Sequence, residues 1–273
     1  MSFDNCALDI TYRCNNNCSF CYSWNKFKDE KDFLAITKEL ISSRKKWAES
    51  LNLSWWEPTL HQDLEKVIKL SKKLKYNSIE IITNWRKLSD KAYLDNLLDV
   101  WLNRITVSIH WKDSFSHDKI TWVKWSFDET MTWIGNILES KKSHNLDFGI
   151  NISVCDKNKD GFQELFSKIM EFAPSHINIH FVVDIWKVKP WEFDFPGIIR
   201  YLSGLPQDVK NKIRFFHIPF CFAEGMEDRV ICDYDERYWD VFPDLEWFRP
   251  YSYVKIDRCL DCKFASKCPW VIC

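Results

Sequence analysis

Strand-like and helix-like patterns alternate over the first two-thirds of this 273-residue chain, and this alternation limits the folds it can adopt. Short apolar segments are separated by segments with helical periodicity. Parallel strands need such crossover helices, so we predict an α/β fold built as a barrel or an open sheet. The six predicted strands span residues 7–12, 51–54, 78–83, 104–110, 147–154 and 176–183, and residues 213–218 are a candidate seventh.

The pattern changes after about residue 184, where aromatic, charged and proline residues replace the alternation. From residue 219 onward there is no clear period, and six of the 11 cysteines lie there. A segment of about 55 residues is only marginally stable without a metal or another cross-link. We therefore predict a core domain over residues 1–215 and a small, irregular, cysteine-rich domain over residues 216–273.

Charge and hydropathy exclude several functional classes. The chain has 38 Lys and Arg against 39 Asp and Glu, so its net charge of −1 gives no attraction for nucleic acid or an anionic membrane. No apolar run approaches the roughly 18 residues of a membrane span, and the N-terminus has no signal-peptide pattern. We predict a cytoplasmic protein without nucleic-acid or membrane partners, whose cysteines are metal ligands or free thiols rather than disulfides.

The glycine and tryptophan contents are anomalous. The chain has 6 Gly and 15 Trp, and its first 134 residues contain ten Trp and no Gly. An average composition would give about 19 Gly in a chain of this length. Turns and helix ends need positive φ angles, so a fold of this size does not easily avoid glycine.

Three cysteines follow the first predicted strand at CxxxCxxC spacing: Cys14, Cys18 and Cys21. Thiolates this close in sequence can bind one iron–sulfur cluster and leave one iron open for a small molecule. A structural zinc site is the alternative, although it normally needs four ligands and only Cys6 lies nearby. The loop follows a strand at the start of a βα repeat, where barrel active sites are built.

This motif resembles that of the radical SAM superfamily, and the resemblance extends over residues 6 to about 185. It implies a partial (β/α)6 TIM-like barrel in which the three cysteines hold a [4Fe–4S] cluster. S-adenosylmethionine (SAM) would bind the open iron and be cleaved reductively to a 5′-deoxyadenosyl radical that abstracts hydrogen from a substrate.

Further segments carry the same resemblance. Trp55-Trp56-Glu57-Pro58 stands where the family has Gly-Gly-Glu-Pro, whose backbone and glutamate hold the SAM amino group. The resemblance also implies that Phe20 contacts the adenine, for which loop packing is the alternative. Asn84, Ser108 and Asn158 are candidates for the SAM ribose or carboxylate, with turn or cap formation as the alternative.

Tryptophan occupies many positions where the family has glycine. We hypothesise that the gene comes from a lineage that reads UGA as glycine, and that Trp47 and Trp101 are also glycines because each follows a helix. The alternative is a genuinely Trp-rich enzyme with a remodelled SAM site. The motif-placed tryptophans are Trp55, Trp56, Trp85, Trp111, Trp122, Trp125, Trp133 and Trp270.

The C-terminal cysteines resemble the auxiliary-cluster extensions known as twitch and SPASM domains. This implies a second, auxiliary [4Fe–4S] cluster, although a zinc site from the same four thiols stays open. Cys6 and Cys155 lie in apolar segments and are expected to be buried hydrophobes. The predicted ligands are Cys221, Cys259, Cys262 and Cys268, with Cys232 and Cys273 as spares.

The resemblance implies an oxidoreductase-like or maturase-like radical SAM enzyme whose substrate is a peptide. One alternative is a radical SAM enzyme of small-molecule cofactor biosynthesis. Another is an iron–sulfur electron-transfer protein that does not cleave SAM. The expected partners are SAM, a peptide or small-molecule substrate, and an electron donor such as flavodoxin or ferredoxin.

Overall fold

A computed structural model describes residues 5–21, 30–46, 48–84, 86–182, 195–216, 218–231, 261–265 and 268. Strands and helices alternate through most of these ranges. The strands are β1 Asn5–Leu8, β2 Ser50–Leu53, β3 Ser78–Thr83, β4 Arg104–Ser108, β5 Asp147–Val154, β6 His176–Phe181 and β7 Ile213–Phe216. The helices are α1 Phe33–Lys46, α2 Leu64–Lys73, α3 Lys91–Asp99, α4 Ser114–Thr121, α5 Ser126–Ser140, α6 Phe162–Met170, α7 Phe195–Ser203 and α8 Gln207–Lys210.

The sheet follows the order of the chain, β1-β2-β3-β4-β5-β6-β7. Strands β1 to β5 pair in parallel with their sequence neighbours, and β6 pairs with β7 in the same way. The register aligns Leu53 with Ile81, Ile81 with Ile105 and Ile105 with Phe148 in one fully buried apolar row. Because a helix separates most successive strands, the predicted parallel α/β class is confirmed.

The chain divides into two compact units. The first comprises the described residues up to Asn151 together with Lys168–Ser175, and the second comprises Ile152–Ser167 and the described residues from His176 onward. The predicted domain boundary between residues 215 and 216 stays a prediction. Fully buried side chains of the first unit include Ile36, Leu40, Val67, Leu94, Ile137 and Ile150, and those of the second include Leu165, Ile177, Leu202 and Phe215.

Sequence periodicity located most elements and missed three helices. The predicted strands at 78–83 and 147–154 have the bounds of β3 and β5, and the residues at 213–218 contain β7. Helices α4, α7 and α8 were not predicted. Helix α4 has only eight residues, and its Phe115 is 79% exposed, so it shows little of the amphipathic pattern that reveals a helix. None of the helices in the described ranges is long and apolar enough to cross a membrane.

Left-handed backbone conformations fall mostly on tryptophan. Among the described residues other than glycine, six have a positive φ, and four of these are Trp. A side chain in this conformation costs roughly 1–2 kcal/mol, a penalty that glycine avoids. Trp56, Trp111 and Trp133 lie outside this φ region, and Trp47, Trp85 and Trp270 are outside the described residues. The four are Trp55 (φ 66°), Trp101 (92°), Trp122 (57°) and Trp125 (70°).

Replacing the two exposed left-handed tryptophans with glycine should stabilise the chain. Trp122 and Trp125 are 69% and 59% exposed, so their substitution removes strain and little packing. We expect Trp122→Gly and Trp125→Gly each to raise the free energy of unfolding by about 1 kcal/mol in chemical denaturation. Lys124→Gly is the matched control, because Lys124 is exposed beside both tryptophans and lacks a positive φ. An equal gain from Lys124→Gly would contradict the strain argument.

Candidate functional site

The three cysteines after β1 lie on a loop whose backbone is hydrogen-bonded to the end of α4. Asn17 N–H donates to the Thr121 carbonyl and Ser19 N–H to the Ile120 carbonyl, both at 2.9 Å. The last carbonyls of a helix have no partner within the helix, so they are free to accept these bonds. Cys21 N–H donates to the Cys18 carbonyl at 2.9 Å and closes a turn between the last two thiols.

Asp118 fixes the connection between α4 and α5. Its carboxylate accepts hydrogen bonds from Trp125 N–H at 2.6 Å, Ser126 Oγ–H at 2.8 Å and Phe127 N–H at 2.9 Å. These donors lie at the start of α5, where the first N–H groups of a helix need an external acceptor. The carboxylate therefore caps α5 and fixes the helix end that holds the cysteine loop.

Cys14, Cys18 and Cys21 form no disulfide; Cys14 and Cys21 are exposed and Cys18 is half-buried. Burial raises the pKa of Cys18, and the charges of Cys14 and Cys21 raise it further, so the three thiols lie within electrostatic reach of one another. The raised pKa favours the protonated form of the Cys18 thiol. Bound iron would reverse that preference, because a thiol that coordinates a metal is deprotonated. In the described ranges, no three His, Cys, Asp or Glu side chains are grouped to hold a single metal ion.

The donor set fits an iron–sulfur cluster. A cubane cluster takes each thiolate on a different iron, so its three ligands do not surround one ion as the ligands of a zinc ion do. Three thiols outside any disulfide, on one anchored loop, supply that donor set.

Glu57 connects three loops at the ends of the first three strands. Its Oε1 accepts from Thr59 N–H at 3.1 Å, from the Thr59 hydroxyl, and from the Thr83 hydroxyl at 2.6 Å. Its Oε2 accepts from Asn84 N–H at 2.7 Å, and its own N–H donates to the Arg13 carbonyl at 3.0 Å. Glu57 is 0% exposed.

These bonds bear on the role that the sequence predicted for Glu57. Burial is the larger effect and raises the pKa of this carboxyl above its usual range, and the bonds from Thr59, Thr83 and Asn84 offset part of that rise. The carboxylate thus already accepts four hydrogen bonds within the protein, and it orders the loops after β2 and β3. Sequence reasoning missed this linking role, for which threonines at 59 and 83 were the available signal.

The end of β3 contacts the cysteine loop directly. Asn84 Nδ2–H₂ donates to Asn15 Oδ1 at 2.8 Å and to Cys14 Sγ at 3.4 Å. Arg86 Nη1 donates to the Asn15 carbonyl at 2.6 Å, and its Nε donates to Glu129 Oε2 at 2.6 Å. Sequence reasoning selected Asn84 and missed Asn15, Arg86 and Glu129, because those contacts join distant parts of the chain.

Phe20 packs against a buried pair of histidines. Its ring lies edge-on to His110, with the centroids 4.8 Å apart, and His110 stacks on His117 at 5.7 Å. His117 Nδ1 accepts a hydrogen bond from His110 N–H at 3.4 Å. Burial lowers the pKa of His110 well below its usual range and that of His117 to about 4, so both rings are neutral near pH 7.

The remaining predicted SAM residues have varied environments. The indole of Trp56 lies edge-on to Tyr12, with the centroids 4.9 Å apart. Ser108 ends β4 and is paired in register with Asn151.

Asn158, in the second unit, is buried in the turn between β5 and α6. It accepts from Cys155 N–H at 2.7 Å and donates to the Ser153 carbonyl at 2.8 Å. These bonds stabilise the turn, which is the structural role considered as the alternative for this residue.

Three of the four predicted auxiliary ligands lie on adjoining turns of the second unit. The ring of Phe220, next to Cys221, stacks on Phe264 with the centroids 5.1 Å apart. Cys268 N–H donates to the Phe264 carbonyl at 2.8 Å, and Phe264 lies two residues after Cys262. Cys221, Cys262 and Cys268 form no disulfide, and Cys259 lies outside the described residues.

Comparison with known families decides the class. A sequence model of the radical SAM superfamily matches residues 8–166, more than half of the chain and including the cysteine loop and the ends of β2, β3 and β4. The chain belongs to the radical SAM superfamily. Members of this superfamily are enzymes, and membership implies a [4Fe–4S] cluster and SAM.

Curated relatives share moderate identity with part of the chain. A probable GTP 3′,8-cyclase of Saccharolobus solfataricus is 30% identical over 137 residues, which cover 48% of this chain and 42% of that protein. One from Methanococcus maripaludis is 30% identical over 117 residues, covering 42% and 39%. The chain thus spans about two-fifths of the length of the curated relatives it matches.

Solved structures share the fold at low identity. Methylornithine synthase (PylB) has a TM-score of 0.63 at 15% identity, over 83% of this chain and 70% of that chain. Streptococcus suis SuiB bound to SAM has a TM-score of 0.61 at 14% identity, over 88% and 52%. The parallel α/β fold is therefore that of the partial TIM-like barrels of this superfamily.

Replacing the Glu57 carboxyl with an amide should destabilise the protein. In Glu57→Gln an amide NH₂ replaces one acceptor oxygen, so at least one buried donor loses its partner. We expect the free energy of unfolding, measured by denaturation of the metal-free chain, to fall by about 2–4 kcal/mol. Glu65→Gln is the control, since Glu65 forms an ion pair with Lys69 at a side chain 40% exposed, where an ion pair contributes little to stability. Equal, small effects of both substitutions would contradict the linking role of Glu57.

The buried histidine pair should make stability depend on pH under acidic conditions. The pKa of His117 is about 4 in the folded chain against 6.5 for an unperturbed group, so between these values the unfolded state binds more protons. Stability should therefore fall as the pH drops from about 6.5 to 4, by roughly 2–3 kcal/mol for this group. His117→Gln should reduce that loss. Denaturation curves at several pH values measure the effect, and identical slopes for wild type and His117→Gln would refute it.

Proposed function

We propose that this protein is a radical SAM enzyme whose cluster is held by Cys14, Cys18 and Cys21. The observation that carries the proposal is the anchored loop of three cysteines, none of them in a disulfide, within the matched superfamily region. When bound, the reduced cluster supplies the electron that cleaves SAM, yielding a 5′-deoxyadenosyl radical that takes hydrogen from a substrate.

In this proposal the chain's own residues orient and shield the cofactor. The loops after β2 and β3, which Glu57 joins, border the cysteine loop through Arg13 and Asn84. Phe20 supplies an apolar ring for the adenine, because its position is fixed by contact with His110. The backbone at residues 55 and 56 would face the SAM amino group, and Ser108 its ribose or carboxylate. The reducing conditions that such a cluster needs agree with a cytoplasmic location and a flavodoxin-like or ferredoxin-like donor.

Two substrate classes have support from different comparisons. Structures with this fold include SuiB bound to precursor peptide SuiA and anSMEcpe with bound peptides, which favour a peptide. Sequence relatives are named probable GTP 3′,8-cyclases, which favour a small molecule of cofactor biosynthesis. We take a peptide as the first candidate and a nucleotide as the second. Substrate-dependent 5′-deoxyadenosine formation with each class separates them.

We further propose an auxiliary [4Fe–4S] cluster on Cys221, Cys259, Cys262 and Cys268, in a twitch-like or SPASM-like region. The stacking of Phe220 on Phe264 supports this assignment because it brings the turns of Cys221 and Cys262 together. The spacing of these thiols suits a cluster or a zinc ion, and metal analysis distinguishes them.

The left-handed tryptophans support the proposal that several of them are glycines in the natural protein. Trp55, Trp122 and Trp125 combine a family glycine position with a positive φ, and Trp101 has a positive φ where a glycine was expected after a helix. A tryptophan at such a position is strained, whereas glycine is not. Peptide mass spectrometry of the natural protein reads these positions directly, and tryptophan at position 55 would refute recoding there.

SAM cleavage should depend on glycine at the motif positions. The chain as printed and a variant with glycine at the eight motif-placed tryptophans are compared after anaerobic cluster reconstitution and reduction with dithionite. We expect 5′-deoxyadenosine from the glycine variant and at least tenfold less from the printed chain, because two indoles crowd the proposed SAM backbone site. Cys18→Ala in the glycine variant should abolish the product. Equal yields from both chains would contradict the recoding proposal, and no product from either chain with clusters intact would favour an electron-transfer protein.

Iron content should report the two clusters separately. We expect about eight iron atoms per reconstituted chain, and about four in Cys262→Ala or Cys18→Ala. Cys155→Ala is the control, because Cys155 is buried in an apolar segment and should leave the iron content unchanged. If the wild-type chain instead holds about four iron atoms and zinc, and Cys262→Ala loses the zinc, the second site is a zinc site.

A further inference from the structure

We propose that Asn84 tunes the reduction potential of the cluster through a hydrogen bond from its side-chain amide to Cys14 Sγ. This inference rests on the proposed function, because it assumes that Cys14 binds iron. It gives Asn84 a role different from the SAM contact that the sequence suggested.

The two amide hydrogens of Asn84 serve two acceptors. Nδ2 lies 2.8 Å from Asn15 Oδ1 and 3.4 Å from Cys14 Sγ, and a sulfur acceptor takes a longer hydrogen bond than oxygen does. A side-chain amide has two N–H donors, so both bonds can form at once. Cys14 Sγ also accepts from Asn16 N–H at 3.4 Å, so two donors converge on this one thiol.

The orientation of the Asn84 amide is set by its surroundings. Its Oδ1 accepts from Arg86 N–H at 3.4 Å, which directs the NH₂ group toward the cysteine loop. Its backbone N–H donates to the buried Glu57 carboxylate at 2.7 Å. The side chain therefore projects from a backbone position that is fixed independently of any ligand.

The cysteine loop is held at the same place by other bonds. Arg86 donates to the Asn15 carbonyl at 2.6 Å while Glu129 fixes its guanidinium. Asn17 and Ser19 are bonded to the end of α4. Loss of the Asn84 side chain should thus remove the bond to sulfur and leave the loop in position.

The direction of the effect follows from electrostatics. An N–H donor next to a ligating sulfur stabilises negative charge there, and the reduced cluster carries one more negative charge than the oxidised cluster. Hydrogen bonds to the sulfurs are an established determinant of cluster potentials. Removing the Asn84 donor should therefore shift the midpoint potential to a more negative value and make the cluster harder to reduce.

The test is an EPR-monitored redox titration of the full, anaerobically reconstituted chain. Asn84→Leu has similar size and no donor, and Asn84→Ala is a second variant in case leucine disturbs the loop. Asn15→Ala is the matched control, because it removes the other acceptor of the same amide and leaves the bond to Cys14. The signal of this cluster is the one that Cys18→Ala removes. Iron content and SAM affinity are measured for every variant.

We expect full iron content in the variants, a more negative midpoint in Asn84→Leu and Asn84→Ala, and an unchanged midpoint in Asn15→Ala. Unchanged midpoints in both Asn84 variants would overturn the inference, and weaker SAM binding alone would make Asn84 a SAM ligand instead. An equal shift in Asn15→Ala, or loss of iron in both Asn84 variants, would show that Asn84 only holds the loop. Absence of an iron–sulfur cluster from the wild-type chain would be a failure of the proposed function itself.

Discussion

The satisfied carboxylate of Glu57 is the interaction on which the site depends most. A carboxyl group without solvent exposure is tolerated only when its oxygens are hydrogen-bonded, so the chain must bring donors to it. Those donors come from Thr59 after β2 and from Thr83 and Asn84 at the end of β3, while the Glu57 N–H reaches the cysteine loop at Arg13. One buried group thereby fixes the relative positions of three loops at the ends of parallel strands.

The end of α4 provides a second support for the cysteine loop. Its terminal carbonyls accept from Asn17 and Ser19, and Asp118 within it caps the following helix. The last carbonyls of a helix have no partner within the helix. In α4 these carbonyls bond to the cysteine loop and order it, whereas in an isolated helix they would bond to water. The three thiols therefore project from a backbone that is fixed at β3 and at α4, which is the preorganisation that the proposed cluster site requires.

Several tryptophans have a left-handed backbone conformation that strongly favours glycine. A consistent sequence places glycine where the backbone is left-handed, and this chain places Trp there at four described positions. Three of these positions belong to motifs in which the superfamily resemblance also calls for glycine. Two signals, family pattern and backbone geometry, thus select Trp55, Trp122 and Trp125, whereas Trp56, Trp111 and Trp133 are selected by the pattern alone.

The sequence alone determined the class of the chemistry and the α/β architecture. The CxxxCxxC spacing is set by the order of residues along the chain, and the alternation of strand and helix follows from local patterns, so both are visible before the fold is known. The bounds of β3 and β5 were predicted correctly. Only the tertiary structure decided how the site is held. The bonds of Thr83 to Glu57, Arg86 to Glu129 and Asn84 to Asn15 join residues 26, 43 and 69 positions apart. Such contacts arise from which strand ends and loops become neighbours in the fold, and no local pattern encodes that arrangement.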